Sequence, residues 1–288
     1  IRLSQEEIFN INNIITPLIK DKNQSINHVF INNPDLLYFS KPTFYPYINL
    51  NLFSFRNIDL ARKVKYKPRK NTEKRRTRKE AIIRIGRTYN NLNDYLAVNP
   101  NASVVEMDTV EGVKGGKVFL TLLFRNYNFM LIFLMETKTM DEVEKIFIKI
   151  KKLLGLDTFK RLFEVILTDN GSEFFNPISI EVDYSTGEVL SHIFYCDPNC
   201  PYQKGSIEKN HEYIRYILPK KTSFNDLTQE DCDLIASHIN STNRIILNNK
   251  TPYEAVQNLM DIEIISKLNI RLIDHDKVDL SPELLKKN

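Results

Sequence analysis

Between residues 56 and 91 the chain carries 14 Lys/Arg against 3 Asp/Glu. A stretch of that charge has too little apolar surface to bury, so no core forms within it and any folded units must lie on either side. Alternating charge and Pro68 keep Arg62-Lys63-Val64-Lys65-Tyr66-Lys67-Pro68-Arg69-Lys70 extended, and a second basic run follows from Lys74 to Lys79. The other residues hold 26 Lys/Arg against 33 Asp/Glu, so the net charge of +4 hides two parts of opposite sign. The excess positive charge repels itself unless a polyanion lies alongside. Arg62, Lys63, Lys65, Lys67, Arg69, Lys70, Arg75, Arg76 and Arg78 are the candidate phosphate contacts. About 8 such contacts would make log affinity fall with log salt at a slope of roughly −7. The alternative is a solvated charge run.

With 288 residues, the chain can bury more than one core. No uncharged apolar run approaches the ~20 residues of a membrane helix, which argues against a membrane role. Three cysteines and no apolar leader suit a reducing interior without disulfides, and a first residue of Ile1 rather than Met suggests a missing upstream segment. Residues 1–55 read as three short helices. Ser4 and Glu7 have capping-box spacing ahead of Ile8, Ile11, Ile15 and Leu18, giving a helix over about 5–20. Ser25 caps a second helix ended by Asn33-Pro34, and Ser40 a third with Pro42 in its first turn. Such a trio fits a helix-turn-helix-like DNA-binding module or a helical subdomain without DNA contact, and Pro46 interrupts a clean recognition helix. Residues 56–99 form a basic linker and 261–288 a C-terminal tail.

The texture from 100 to 260 is that of a mixed sheet flanked by helices. Strands are expected at 104–108, 117–125, 128–135, 163–168 and 193–196. A helix opens at Thr139 and Glu142, capped as a box, and runs to Gly155 along Val143, Ile146, Phe147, Ile150, Leu153 and Leu154. Another begins near Ser206 and a final long one at Thr228 and Asp231. Three acids fall at element ends: Asp108 closes the first strand, Asp169 the fourth, and Glu208 sits in the first turn of the helix after the fifth. The carboxyl ends of strands in an open α/β sheet form a crevice where such groups can meet. Three carboxylates about 4–6 Å apart repel by roughly 3–4 kcal/mol per pair, which divalent cations would reverse. Each acid also has a plainer reading: Asp169-Asn170-Gly171 as a tight turn, Glu208 as a partner of the helix dipole, Asp108 as a strand end. Cys196 and Cys200 lack the companions of a zinc site, and the glycines match no nucleotide-binding loop, so no nucleotide cofactor is expected.

The stretches VVEMDTVEG (104–112), LTDNGSEF (167–174) and YCDPNCPYQKGSIEKNHEYIRYILPK (195–220) resemble the insertion sequence thirty family of bacterial transposases, within the retroviral-integrase-like DDE superfamily. The resemblance covers about 100–260, and more loosely the basic segment and helical start. It implies an RNase H-like α/β fold in which Asp108, Asp169 and Glu208 bind two Mg2+ ions, with Mn2+ as a substitute. It implies cleavage of double-stranded DNA at element ends and attack of the freed 3′-hydroxyl on target DNA, by a homodimer or larger assembly on the cytoplasmic nucleoid. Gln203, Lys204, Lys209, Asn210 and Arg215 match polar positions of the third motif and would face DNA, or in part be solvated surface. Tyr202 stands where the family often has Trp, and Asn243 where it has Pro. A further amino-terminal helix-turn-helix of the family has no counterpart here, as in a fragment or truncated copy. The other readings are a non-catalytic DNA-binding remnant and a nuclease of the same fold that cuts without joining.

Overall fold

The computed structural model describes residues 3–61 and 82–286. α1 (Gln5–Lys20) opens on the Ser4/Glu7 capping box, with the Ser4 hydroxyl accepting from Glu7 N and the Glu7 carboxylate from Ser4 N. Ser25 caps α2 (Ile26–Asn32) by accepting from His28 N. Ser40 makes no such bond ahead of α3 (Lys41–Asn49), because its hydroxyl pairs with that of Thr43. α3 nevertheless runs through Pro46. The proline removes one donor, while burial of Phe44 and Ile48 on either side of it holds the helix. These helices enclose their own core, in which the Phe44 ring lies 5.0 Å from Phe30 and 5.1 Å from Phe53 between ring centres.

The stretch read as a linker contains a helix, α4 (Tyr89–Val98), capped by Thr88 and Asn91 and packed over Val104, Val165, Leu167 and Phe194. Its signal was a capping box with Asn in place of Glu or Gln, followed by few apolar residues. Five strands form one sheet in the order β3-β2-β1-β4-β5: β1 (Val104–Glu111), β2 (Val118–Phe124), β3 (Phe129–Met135), β4 (Val165–Thr168) and β5 (His192–Tyr195). The first three are antiparallel, and β1, β4 and β5 are parallel. The α/β class, the mixed sheet flanked by helices and the N-terminal all-α module are as expected.

α5 (Met140–Leu154) buries Val143, Ile146, Phe147 and Ile150 but leaves Leu153 exposed. Thr139 does not cap it, since Glu142 is drawn back to Glu136 N and to Lys145. α6 (Leu156–Leu162) and α7 (Pro177–Glu181) follow, then α8 (Gly205–Ile217) and α9 (Gln229–Asn240). α9 covers the β3 edge, where Gln229 accepts from Leu134 N and donates to Ile132 O while Asn240 does the same for Met130. The carboxamides thus occupy ladder groups that an open edge would leave for another chain. α9 is not the last helix: α10 (Pro252–Val256) and α11 (Ile262–Lys267) follow.

The residues beyond 261, read as a tail, pack against both units. Val278 and Leu280 are buried, Gln24 donates to Val278 O, and Leu280 N donates to Lys22 O. Two buried histidines hold this arrangement as acceptors: His238 Nδ1 accepts from Asp279 N at 2.9 Å and His28 Nδ1 from Asn243 N at 3.2 Å. Burial pushes the His238 pKa down to about 4 and lowers that of His28. An unfolded histidine takes up its proton near 6.5, so between about pH 6.5 and 4 the unfolded chain binds more protons than the folded one. Stability is therefore expected to be present above pH 6.5 and to be lost as the pH falls toward 4, by about 3 kcal/mol for His238. Urea midpoints measured from pH 7.5 to 4.5 check this, with His238→Gln flattening the decline. An equal slope in that variant would refute the assignment to His238.

Candidate active site

β1 does not end at Asp108. It continues to Glu111 because β2 pairs with it as far as Glu111↔Val118, whereas its parallel pairing with β4 stops at Glu106↔Leu167. Asp108 therefore lies mid-strand but beyond the ladder on the β4 side. Extending the parallel register by two residues sets Asp108 beside Asp169, which follows the last residue of β4. Neighbouring positions in parallel strands present their side chains to the same face. The Lys204 ammonium lies between the two, 3.0 Å from Asp108 Oδ2 and 3.4 Å from Asp169 Oδ2, and it also donates to Met107 O. Burial opposes the charge on Lys204, but the two carboxylates outweigh it and raise the lysine's pKa.

Asp169-Asn170-Gly171 forms the tight turn that its sequence suggested. Gly171 N donates to Asp169 Oδ1, and Asn170 donates to Cys196 O while accepting from Arg84 at 2.6 Å. A side chain at Gly171 would meet the Glu173 carboxylate at 2.6 Å, so Glu173 would have to shift to admit one. Glu173 itself is buried and accepts from the Thr109 hydroxyl next to Asp108. Behind Asp108, the Thr121 hydroxyl donates to Asp108 O and so accepts from His211 Nε2. Burial drives the His211 pKa down to about 4, leaving the ring neutral at neutral pH.

Glu208 is exposed in the first turn of α8. Among the described residues no three His, Cys, Asp or Glu side chains stand close enough to hold an ion together. Asp108 and Asp169 are thus brought together through Lys204, and Glu208 is not drawn in with them. Lys204 is the counterion of this pair. The donor set fits a hard divalent ion, in that two carboxylates share one buried positive charge and oxygen donors are what such ions take.

The residue that sequence reading missed is Glu106. It is 1% exposed and uses both oxygens, accepting from Arg125 Nε at 2.7 Å and from Ile207 N at 2.7 Å. The second bond ties the N-terminus of α8, and so Glu208, to the strand that carries Asp108. The signal was available: an acid two residues before Asp108, on the same strand face, in an otherwise apolar run.

The polar residues assigned to DNA divide differently from expectation. Gln203, Lys204 and Asn210 are buried: Gln203 bonds Asp197, Asn210 bonds Asn128 and Ser206 O, and Lys204 serves the aspartates, so all three act as internal supports. Arg215 donates to Glu111 O, and Lys209 is exposed. Tyr202 is 75% exposed. Arg62, Lys63, Lys65, Lys67, Arg69, Lys70, Arg75, Arg76 and Arg78 lie outside the described residues.

No family model matches the chain. Over 152 residues, 53% of the chain, it is 31% identical to the transposase InsI for insertion sequence element IS30C of Escherichia coli (strain K12), covering 37% of that protein. Over 157 residues, 54% of the chain, it is 25% identical to the transposase for insertion sequence element IS4351 of Bacteroides fragilis, covering 45% of it. The chain thus spans less than half the length of these curated relatives. Among solved structures, the catalytic core domain of BIV integrase aligns over 55% of this chain and 96% of its own, at 14% identity and a TM-score of 0.37.

Proposed function

We propose that the chain is the catalytic part of a DNA transposase, which cuts phosphodiester bonds at the ends of an insertion element and joins the freed 3′-hydroxyl to target DNA. The observation that carries this reading is the pairing of Asp108 with Asp169 around a buried cation, just past the point where the parallel pairing of β1 with β4 stops. The similarity to insertion-element transposases supports it.

Asp108, Asp169 and Glu208 would hold two Mg2+ ions, with Mn2+ able to replace them. Bound divalent ions supply the positive charge that stabilises the attacking and leaving oxygens of an in-line displacement at phosphorus. The chain's own residues set the frame for that chemistry. Lys204 keeps the two aspartates together before any ion arrives, and Glu106 holds the first turn of α8 against β1. Lys209, exposed and next to Glu208 in sequence, would take a DNA phosphate. Arg84, near the end of the basic stretch, is anchored at the Asp169 loop through Asn170 and Asp197. The basic stretch would then track duplex DNA close to the site, and two element ends would be held by a dimer or larger assembly in the cytoplasm.

The test is a joining assay with pre-cut element ends and plasmid target. Mg2+-dependent appearance of joined product is expected. Cutting without joining would make the chain a nuclease, and DNA binding with neither reaction would make it a non-catalytic remnant.

A further inference from the structure

A cavity of about 470 Å³ opens between the helical module and α8, walled by α2, α3, α8 and the loop after α9. Its volume is that of a site for one small ligand and far too small for a duplex. Four properties of its wall identify the ligand. No Asp or Glu lines it, although acids outnumber bases in the chain outside residues 56–91, so the wall is selectively free of negative charge. Aromatic and aliphatic faces are open to it, with Tyr45 46% and Ile246 77% exposed. Tyr213, another lining ring, is stiffened by the Arg244 guanidinium stacked at 3.8 Å. The polar part of the wall is mainly carboxamide, including Asn27, whose buried Nδ2 has no partner among the described residues, and Asn243.

A flat apolar face, carboxamide edges and two cations, Lys209 and Arg244, match a nucleotide: a ring to stack, base edges that pair donor with acceptor, and a phosphate. Of the two, Lys209 is exposed and follows Glu208, whereas Arg244 is buried against Tyr213, and Gly205 and Ser206 of the same helical turn as Lys209 also line the cavity. A DNA strand passing the carboxylates would therefore have the cavity one helical turn away.

We propose that this cavity receives one unpaired nucleotide of the DNA strand that runs past Glu208, with its base against Tyr45, its edge toward the carboxamides and its phosphate on Lys209. The proposal rests on the DNA-processing reading above and adds a place where the duplex must be opened. Base-on-ring stacking of the usual strength makes the preference for an unpaired nucleotide about tenfold.

The experiment uses the full chain and two DNA probes of equal length. One is a blunt duplex, and the other carries a three-nucleotide overhang containing 2-aminopurine. The expected result is about tenfold tighter binding of the overhang probe, with quenching of 2-aminopurine fluorescence. Tyr45→Ala, at an exposed side chain, should abolish both the preference and the quenching while leaving blunt-duplex affinity unchanged. Equal affinity for the two probes, or a preference that survives in Tyr45→Ala, overturns the nucleotide pocket and leaves the DNA-processing reading standing. Failure of either probe to bind at low salt overturns that reading itself.

Discussion

Asp108→Asn and Asp169→Asn are each expected to lower strand joining by about 10³-fold or more, equivalent to roughly 4 kcal/mol of transition-state stabilisation. The amide keeps the shape of the side chain and removes its negative charge. Asp108 can still accept from Thr109 N through its remaining oxygen, and at 169 the turn bond from Gly171 N is likewise retained. The fold is therefore kept, and the loss falls on the carboxylate's chemical task. Duplex affinity, which draws on the basic stretch, should change by less than twofold in fluorescence anisotropy. Joining at the wild-type rate in either variant would remove that residue from the site.

Lys204→Met should give the second-largest effect, and it is one of stability and ion binding. The variant leaves Asp108 and Asp169 facing each other without a counterion. At an effective dielectric near 20 such a pair repels by roughly 3–4 kcal/mol. Asp169 is 45% exposed, so screening by solvent reduces the expected loss to about 2 kcal/mol. In EDTA the melting temperature should fall by several degrees. Adding Mg2+ or Mn2+ should restore it, because the ion supplies the missing charge, and Mn2+ titrated by electron paramagnetic resonance should bind more tightly to the variant than to the wild type. In the wild type an ion has to displace the ammonium, which is bound on three sides. An unchanged melting temperature in EDTA together with unchanged Mn2+ affinity would show that Lys204 is not the counterion of this pair.

Lys204 also marks where sequence reading stops. Its neighbours Gln203, Lys209 and Asn210 look alike as polar residues of one motif, yet only Lys209 faces solvent. Burial of the others depends on Glu106 and Arg125, which fasten the start of α8 and the turn before it to β1. Those partners lie some hundred residues away in sequence, beyond the reach of any local pattern. Glu208 sits in the first turn of its helix as read, but which groups it meets is a matter of how α8 is set on the sheet.

Caps at Ser4, Ser25 and Thr228, the apolar faces of α1 and α5, and the positions of the five strands along the chain were legible because each arises from neighbours within a few residues. The same holds for the charge of 56–91 and for the three acidic motifs, which are properties of the chain alone. Only the tertiary structure decided that Asp108 lies within a strand, because β2 extends β1 past the point where β4 ends. It also decided that the two aspartates share one lysine and that residues beyond 261 bind the helical module to the core. These depend on register and on packing between distant segments, where electrostatic pairing is settled only once the backbone has brought the partners within a few ångströms.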